Sequence, residues 1–132
     1  MEFALKNGYR HIDTAAGYQN ETEVGQGIKA SGVPREQIFL TTKLDNPDQR
    51  NPTAALESSL KKLDTPYIDL CMKPLFLYFP RKTLIRRPGL MHWPAPMTQD
   101  GKADKGHDWL DTWKAMEDLY NTYPDKLKAI GE

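Results

Sequence analysis

The 132-residue sequence predicts an α/β fold built on a parallel sheet. Two observations carry that reading. Short β-prone runs and helix-period segments alternate along the chain, and such alternation calls for crossover helices between parallel strands. The helical segments are also punctuated by capping residues that fall between the β-prone runs rather than inside them. An open doubly wound sheet and a (β/α)8 barrel both fit this order. A full barrel takes about 250 residues, so this chain would supply about half of one.

The elements follow in sequence. Residues 1–6 read as the end of a helix closed by Asn7-Gly8, and residues 9–13 as a short strand. Asn20 is the expected N-cap of the next helix, its side chain on the amide of Glu23 and Glu23 reaching back as in a capping box. Val24 and Ile28 share one face of that helix, and Gly32 ends it. Residues 38–42 are apolar and β-prone, a buried strand. Asn51-Pro52 is an N-cap followed by proline at the first helical position, after which Leu56, Leu60 and Leu63 form one apolar face. Residues 67–70 and 90–93 are strand candidates, the second stopped by Pro94. Asp108 caps a helix expected to line one face with Trp109, Trp113, Met116 and Tyr120, and residues 127–130 are the last strand.

Lys+Arg and Asp+Glu each total 18, so the net charge is zero, which argues against a dedicated nucleic-acid or membrane-surface protein. Hydrophobic residues at 39%, charged residues at 27% and a mean hydropathy of −0.69 suit a soluble globular chain of one domain. A single cysteine cannot form an internal disulfide and points to a reducing compartment. No run approaches the ~18 apolar residues of a membrane span. The opening Met1-Glu2-Phe3-Ala4 has no secretory signal pattern. The expectation is a cytoplasmic monomer with no nucleic-acid or membrane partner.

The neutral total hides a segment of another character. Residues 71–89 hold Lys73, Arg81, Lys82, Arg86 and Arg87 with no acid, leaving 13 basic and 18 acidic residues elsewhere. Pro74, Pro80 and Pro88 lie in the same stretch and disfavour a regular element through it.

Functional side chains in parallel α/β folds gather at the carboxyl ends of strands. Asp13 ends the first strand, Lys43 the second, and His92 the fragment before Pro94, while Tyr18 sits in the loop after Asp13. Singly, each has an ordinary reading: a cap, a solvated lysine, a core imidazole, a loop residue. Their placement at successive strand ends favours a joint site.

The run Gly8-Tyr9-Arg10-His11-Ile12-Asp13-Thr14-Ala15, continuing through Tyr18, Asn20-Glu21 and Glu23-Val24-Gly25, closely resembles the first signature of the aldo-keto reductases. Phe39-Leu40-Thr41-Thr42-Lys43-Leu44 resembles the strand that carries the family's catalytic lysine, and Leu90-Met91-His92-Trp93-Pro94 its catalytic histidine strand. Residues 109–119 and Lys128-Ala129-Ile130-Gly131 are similar to the next helix and strand. The resemblance implies a partial (β/α)8 TIM barrel, roughly strands 2 to 5, and NADPH-dependent reduction of aldehydes or ketones to alcohols. It makes Asp13, Tyr18, Lys43 and His92 the catalytic tetrad. Tyr18 protonates the developing alkoxide, Lys43 supplies an ammonium beside the phenol, Asp13 holds that ammonium charged and touches the cofactor ribose, and His92 orients the substrate oxygen. Trp93 joins His92 in lining the pocket for a small carbonyl substrate. No metal is implied, because the three histidines lack zinc-ligand spacing and the cysteine is isolated.

The chain departs from the family's pattern in two places. Between Leu70 and Leu90, 19 residues stand where the family has one, so residues 71–89 are expected to be an insertion. We read it as translated intron sequence. Cys71-Met72 is compatible with codons TGT-ATG, which contain a GTATG donor, and Pro88-Gly89 with CCA-GGN, which contain an AG acceptor. The rival reading is a basic docking loop with an apolar patch at residues 75–79. The family's first barrel strand and its second half, which carries most of the cofactor contacts, are also expected to be missing. Alternatives to an active reductase are therefore an inactive fragment or mispredicted gene product, or a non-enzymatic binding module, since the family includes potassium-channel β subunits.

Three further features have structural readings. Gly25-Gln26-Gly27-Ile28-Lys29-Ala30 fits a dinucleotide fingerprint but lies inside a helix rather than opening one, so its glycines are expected to serve close helix–sheet packing. His107 is a structural or exposed residue before a cap, and Lys61-Lys62 a solvated helix face.

Overall fold

The computed structural model describes residues 1–73 and 106–131. Helix α1 (Glu2–Lys6) is followed by β1 (His11–Asp13), α2 (Glu21–Ser31), β2 (Phe39–Lys43), α3 (Pro52–Leu63), β3 (Leu70–Met72), α4 (Trp109–Thr122) and β4 (Ile130–Gly131). The strands form one parallel sheet in the order β1-β2-β3-β4. Spatial order therefore follows chain order, without the reversal that defines a doubly wound sheet, and the four strands are an arc of a (β/α)8 barrel. The arc is not closed among the described residues.

Local chemistry explains most boundaries. The helix ends at Gly8 and Gly32 take φ of +96° and +70°, a region that costs glycine nothing. Asn51 Oδ1 accepts from the Ala54 amide at 3.1 Å ahead of Pro52, and Asp108 Oδ1 from the Leu110 amide at 3.0 Å. The core lies between sheet and helices and is built from Ile12, Leu40, Ile68 and Cys71 on the sheet side and Val24, Leu56, Leu63, Met116 and Leu119 on the helix side. Leu56, Leu60 and Leu63 face it as the spacing requires. Among the described residues no helix is long and apolar enough to cross a membrane.

Several expectations are corrected. Asn20 occupies the N-cap position but makes no side-chain cap bond; its Oδ1 instead accepts from the Thr14 hydroxyl at 3.2 Å. The third strand runs through Leu70–Met72 rather than 67–70, with Ile68 making only an isolated bridge to Leu127. It thus enters the stretch read as inserted. β2 and β4 pair with it on both sides, the Lys73 amide donates to Gly131 O at 2.8 Å, and the first proline comes only after that. The rest of that stretch, the apolar patch at 75–79 and the strand candidate at 90–93 lie outside the described residues. On α4 the buried face is Thr112, Met116 and Leu119, and Tyr120 is exposed. The glycines of the false fingerprint pack against helix and chain start rather than sheet. A Cβ on Gly25 would lie 2.4 Å from Leu63 O at the end of α3, and one on Gly27 would lie 2.6 Å from Met1 Cβ. His107 is structural, 2.7 Å from the Thr112 hydroxyl through Nε2. Lys62 is not simply solvated, since its Nζ stands 3.9 Å from the buried Glu21 carboxylate.

Candidate active site

β1 and β2 deliver Asp13 and Lys43 to the same rim. Their register pairs Asp13 with Thr41, so β2 runs two residues further than β1 and Lys43 overhangs the end of its neighbour. From there Lys43 Nζ reaches back, forms an ion pair with Asp13 Oδ1, and donates to Thr14 O at 3.0 Å. The lysine side chain is 24% exposed and that of Asp13 54%, so the pair is tethered but open to a ligand.

Tyr18 arrives from the loop after β1. A single 3-10 turn, Ala16–Tyr18, carries it, closed by Gln19 at φ +56°. Lys43 Nζ stands 5.2 Å from the centroid of the Tyr18 ring, within the range of a cation–π contact. Tyr18 is 51% exposed, which leaves its ring accessible on the rim. Asp13, Lys43 and Tyr18 are thus brought together as the sequence predicts. His92 and Trp93 lie outside the described residues.

A second layer, which the sequence reading did not single out, stands behind this trio. Thr14 follows Asp13, Thr42 precedes Lys43, and both are buried. Thr14 donates to Asn20, and Thr42 Oγ1 donates to Glu21 Oε1 at 2.8 Å. Strand alternation was the available signal: neighbours of rim residues point the other way, toward the helices. Lys73, counted as part of the basic insertion, is buried beyond the end of β3 on the same rim. Among the described residues no group of three or more His, Cys, Asp or Glu is placed to hold a metal ion.

The fold and this rim define a class first: a parallel α/β barrel segment with a Lys–Asp pair and a tyrosine at its strand ends. Residues 1–73 match the model of the aldo/keto reductase family. The chain is 43% identical over 146 residues to aldehyde reductase YPR1 of Saccharomyces cerevisiae, covering 97% of this chain and 40% of that protein. It is 45% identical over 133 residues to glyoxal reductase of Bacillus subtilis, covering 99% and 37%. The solved aldo-keto reductase of Bombyx mori in complex with NADP superposes with a TM-score of 0.75 at 38% identity, over 98% of this chain and 38% of that one. The chain belongs to the aldo/keto reductase family, and it spans about two fifths of the length of these relatives.

Proposed function

We propose that the whole protein reduces small aldehydes or ketones to alcohols with NADPH as cofactor. The observation that carries this is the Lys43 ammonium, fixed by Asp13 and Thr14 O and standing over the Tyr18 ring. Reduction of a carbonyl needs a proton at the oxygen as hydride reaches the carbon. Tyr18 is the exposed phenol able to give it. Negative charge left on the phenol oxygen then meets a cation already in place, which costs no reorganisation. Relatives named for aldehyde and glyoxal reduction, and one solved with NADP, support the same reading.

The rim suits the nicotinamide end of that cofactor. Asp13 accepts hydrogen bonds only, holds Lys43 through one oxygen, and keeps about half its side chain open, so it can take a ribose hydroxyl. When bound, NADPH supplies the hydride. His92 would orient the substrate oxygen, and Trp93 would line the pocket, on the strength of their family motif. The single cysteine supports a reducing, cytoplasmic setting. Residues 71–89 remain, in this proposal, inserted sequence, with Cys71 and Met72 extending β3 in this chain, and a gene without a donor at Cys71-Met72 and an acceptor at Pro88-Gly89 would sink the intron origin. The test of function is NADPH oxidation by the whole protein with a panel of small aldehydes. Tyr18→Phe should lower kcat by at least about a hundredfold with NADPH affinity unchanged, since the phenol acts in the transition state. Wild-type turnover by that variant would remove Tyr18 from the acid role.

A further inference from the structure

We propose that Asn20 and Glu21 form a clamp, closed by Thr14 and Thr42, that positions the Lys43–Asp13 pair and the Tyr18 loop; the catalytic part of this rests on the function proposed above. The N-cap and first residue of α2 take one hydroxyl each, from Thr14 just past β1 and from Thr42 within β2. Thr14 Oγ1 donates to Asn20 Oδ1 at 3.2 Å, and Thr42 Oγ1 donates to Glu21 Oε1 at 2.8 Å. Thr14 is the residue after Asp13 and Thr42 the residue before Lys43. The ends of β1 and β2 are therefore pinned to one rigid anchor immediately beside the ion pair.

Each thread fixes something the rim needs. Thr14 also offers its carbonyl to Lys43 Nζ, so holding the Thr14 side chain holds the lysine's second acceptor. The loop between Thr14 and Asn20 carries Tyr18, and closing it by the Thr14–Asn20 bond fixes both ends of that loop. Glu21 is 1% exposed, and among the described residues its Oε2 has no hydrogen-bond partner, only Lys62 Nζ at 3.9 Å. The bond from Thr42 to Oε1 is thus the one side-chain hydrogen bond that this buried carboxylate receives among the described residues, and losing it would leave both oxygens unpaired. A carboxylate here is also an unusual use of a first-turn acid, which could have stayed in water beside the helix N-terminus. These four are positioning residues, since none touches the reacting atoms. A displacement of ~1 Å at such a site can cost about a hundredfold in rate.

The test separates positioning from folding. In the whole protein, Thr42→Val strands Glu21 and is expected to lower both stability and kcat. Thr42→Ser keeps the hydroxyl and should restore kcat to within about threefold of wild type. The double variant Glu21→Leu with Thr42→Val removes both polar partners together, which can be nearly neutral for stability. It should unfold near the wild-type midpoint yet stay at least about tenfold down in kcat, with KM for the aldehyde little changed and a displaced pH profile. A second readout needs no turnover: the 15Nζ resonance of the Lys43 ammonium, slow to exchange while hydrogen-bonded. It should be seen in wild type and in Thr42→Ser and be lost in the double variant. A double variant that keeps the Lys43 resonance, or keeps wild-type kcat and pH profile, overturns the clamp. A wild-type protein that reduces no carbonyl overturns the proposed function instead, and the Lys43 resonance then decides the clamp alone.

Discussion

Arg35 and Asp69, 34 residues apart, are joined by a 2.7 Å charge-assisted hydrogen bond at the amino-terminal ends of β2 and β3. The guanidinium spreads further, donating to the Thr65 hydroxyl, Ile38 O and Tyr67 O while stacking 4.0 Å from the Tyr67 ring centroid. Asp69 Oδ2 also accepts the Leu40 amide at 2.9 Å. One side chain thus binds the entry to β2 to the turn before β3. Both partners are mostly buried. Arg35→Ala should cost about 3 kcal/mol or more, because it leaves the mostly buried Asp69 carboxylate without its counter-charge and Ile38 O without its donor, while the Leu40 amide and the Thr65 hydroxyl still serve Asp69 and Tyr67 O. Arg35→Lys should recover less than half of that, since an ammonium cannot serve four acceptors in one plane. Denaturant unfolding of the whole protein measures both, and a lysine variant as stable as wild type would show that charge alone matters there.

The two glycines of α2 should respond unequally to alanine. A methyl on Gly25 would meet Leu63 backbone atoms at 2.4 to 2.9 Å, so α2 and α3 must separate. Overpacking of this kind costs about 1–3 kcal/mol. A methyl on Gly27 would lie 2.6 Å from Met1 Cβ and 3.4 Å from the Glu2 backbone nitrogen, so the start of α1 must shift to admit it. There the helix-propensity gain of roughly 1 kcal/mol offsets part of the cost, and no α3 backbone is met, so Gly27→Ala should lose less than Gly25→Ala. Equal losses from both variants would mean that the α2–α3 contact is looser than its geometry.

The sequence was most legible where a residue acts on its own neighbourhood. The Asn51-Pro52 start, the Asp108 cap and the Gly32 stop depend on bonds within a few residues, and each stands as read. Asp13 and Lys43 were legible because a strand's end is a local event. Asn20 was misread for the converse reason: its side chain has a partner just past the end of β1, which outcompetes the helix amide. The buried face of α4 escaped hydrophobic periodicity because one of its members is Thr112. The Thr112 hydroxyl is 2.7 Å from His107 Nε2 and lies within hydrogen-bond reach of Gln49, 63 residues away. The Arg35–Asp69 bond has no motif at all. The Thr14 and Thr42 threads lay in plain view beside the rim residues, yet nothing in their spacing told that they end on the N-cap and the first residue of α2.

Cys71 should be inert to thiol reagents while the protein is folded. It is buried in β3, and burial, aided by the negative charge of Glu21, pushes its thiol up to about 12 from an ordinary 9.0. At pH 8 that leaves roughly a thousandfold less thiolate than an exposed cysteine would have, before any steric protection. Iodoacetamide should therefore leave Cys71 unlabelled in the native protein and label it in guanidinium. Rapid labelling of Cys71 without denaturant would show that the β3 region opens far more readily than its packing against β2 and β4 implies.

Asp48 should make the protein less stable as pH rises. It lines a cleft of about 360 Å³ with Asp45, Glu21, Gln19 and Lys62. Burial first, then repulsion from Asp45, raises its carboxyl above the ordinary 3.8, with Lys62 opposing. The folded chain therefore holds this proton more tightly than the unfolded chain does. The resulting stability is fully present below pH 3.8 and is lost as pH climbs through the raised folded value. Asp48→Asn removes the titration while keeping the shape. At pH 7 the variant should unfold at a higher denaturant midpoint than wild type, by a small margin because half the group faces solvent. At pH 3.5 the two midpoints should converge, since the wild-type carboxyl is then mostly neutral in both states. A gap that widens on acidification would mean that Asp48 is stabilised as the anion and that Lys62, not burial, dominates its surroundings.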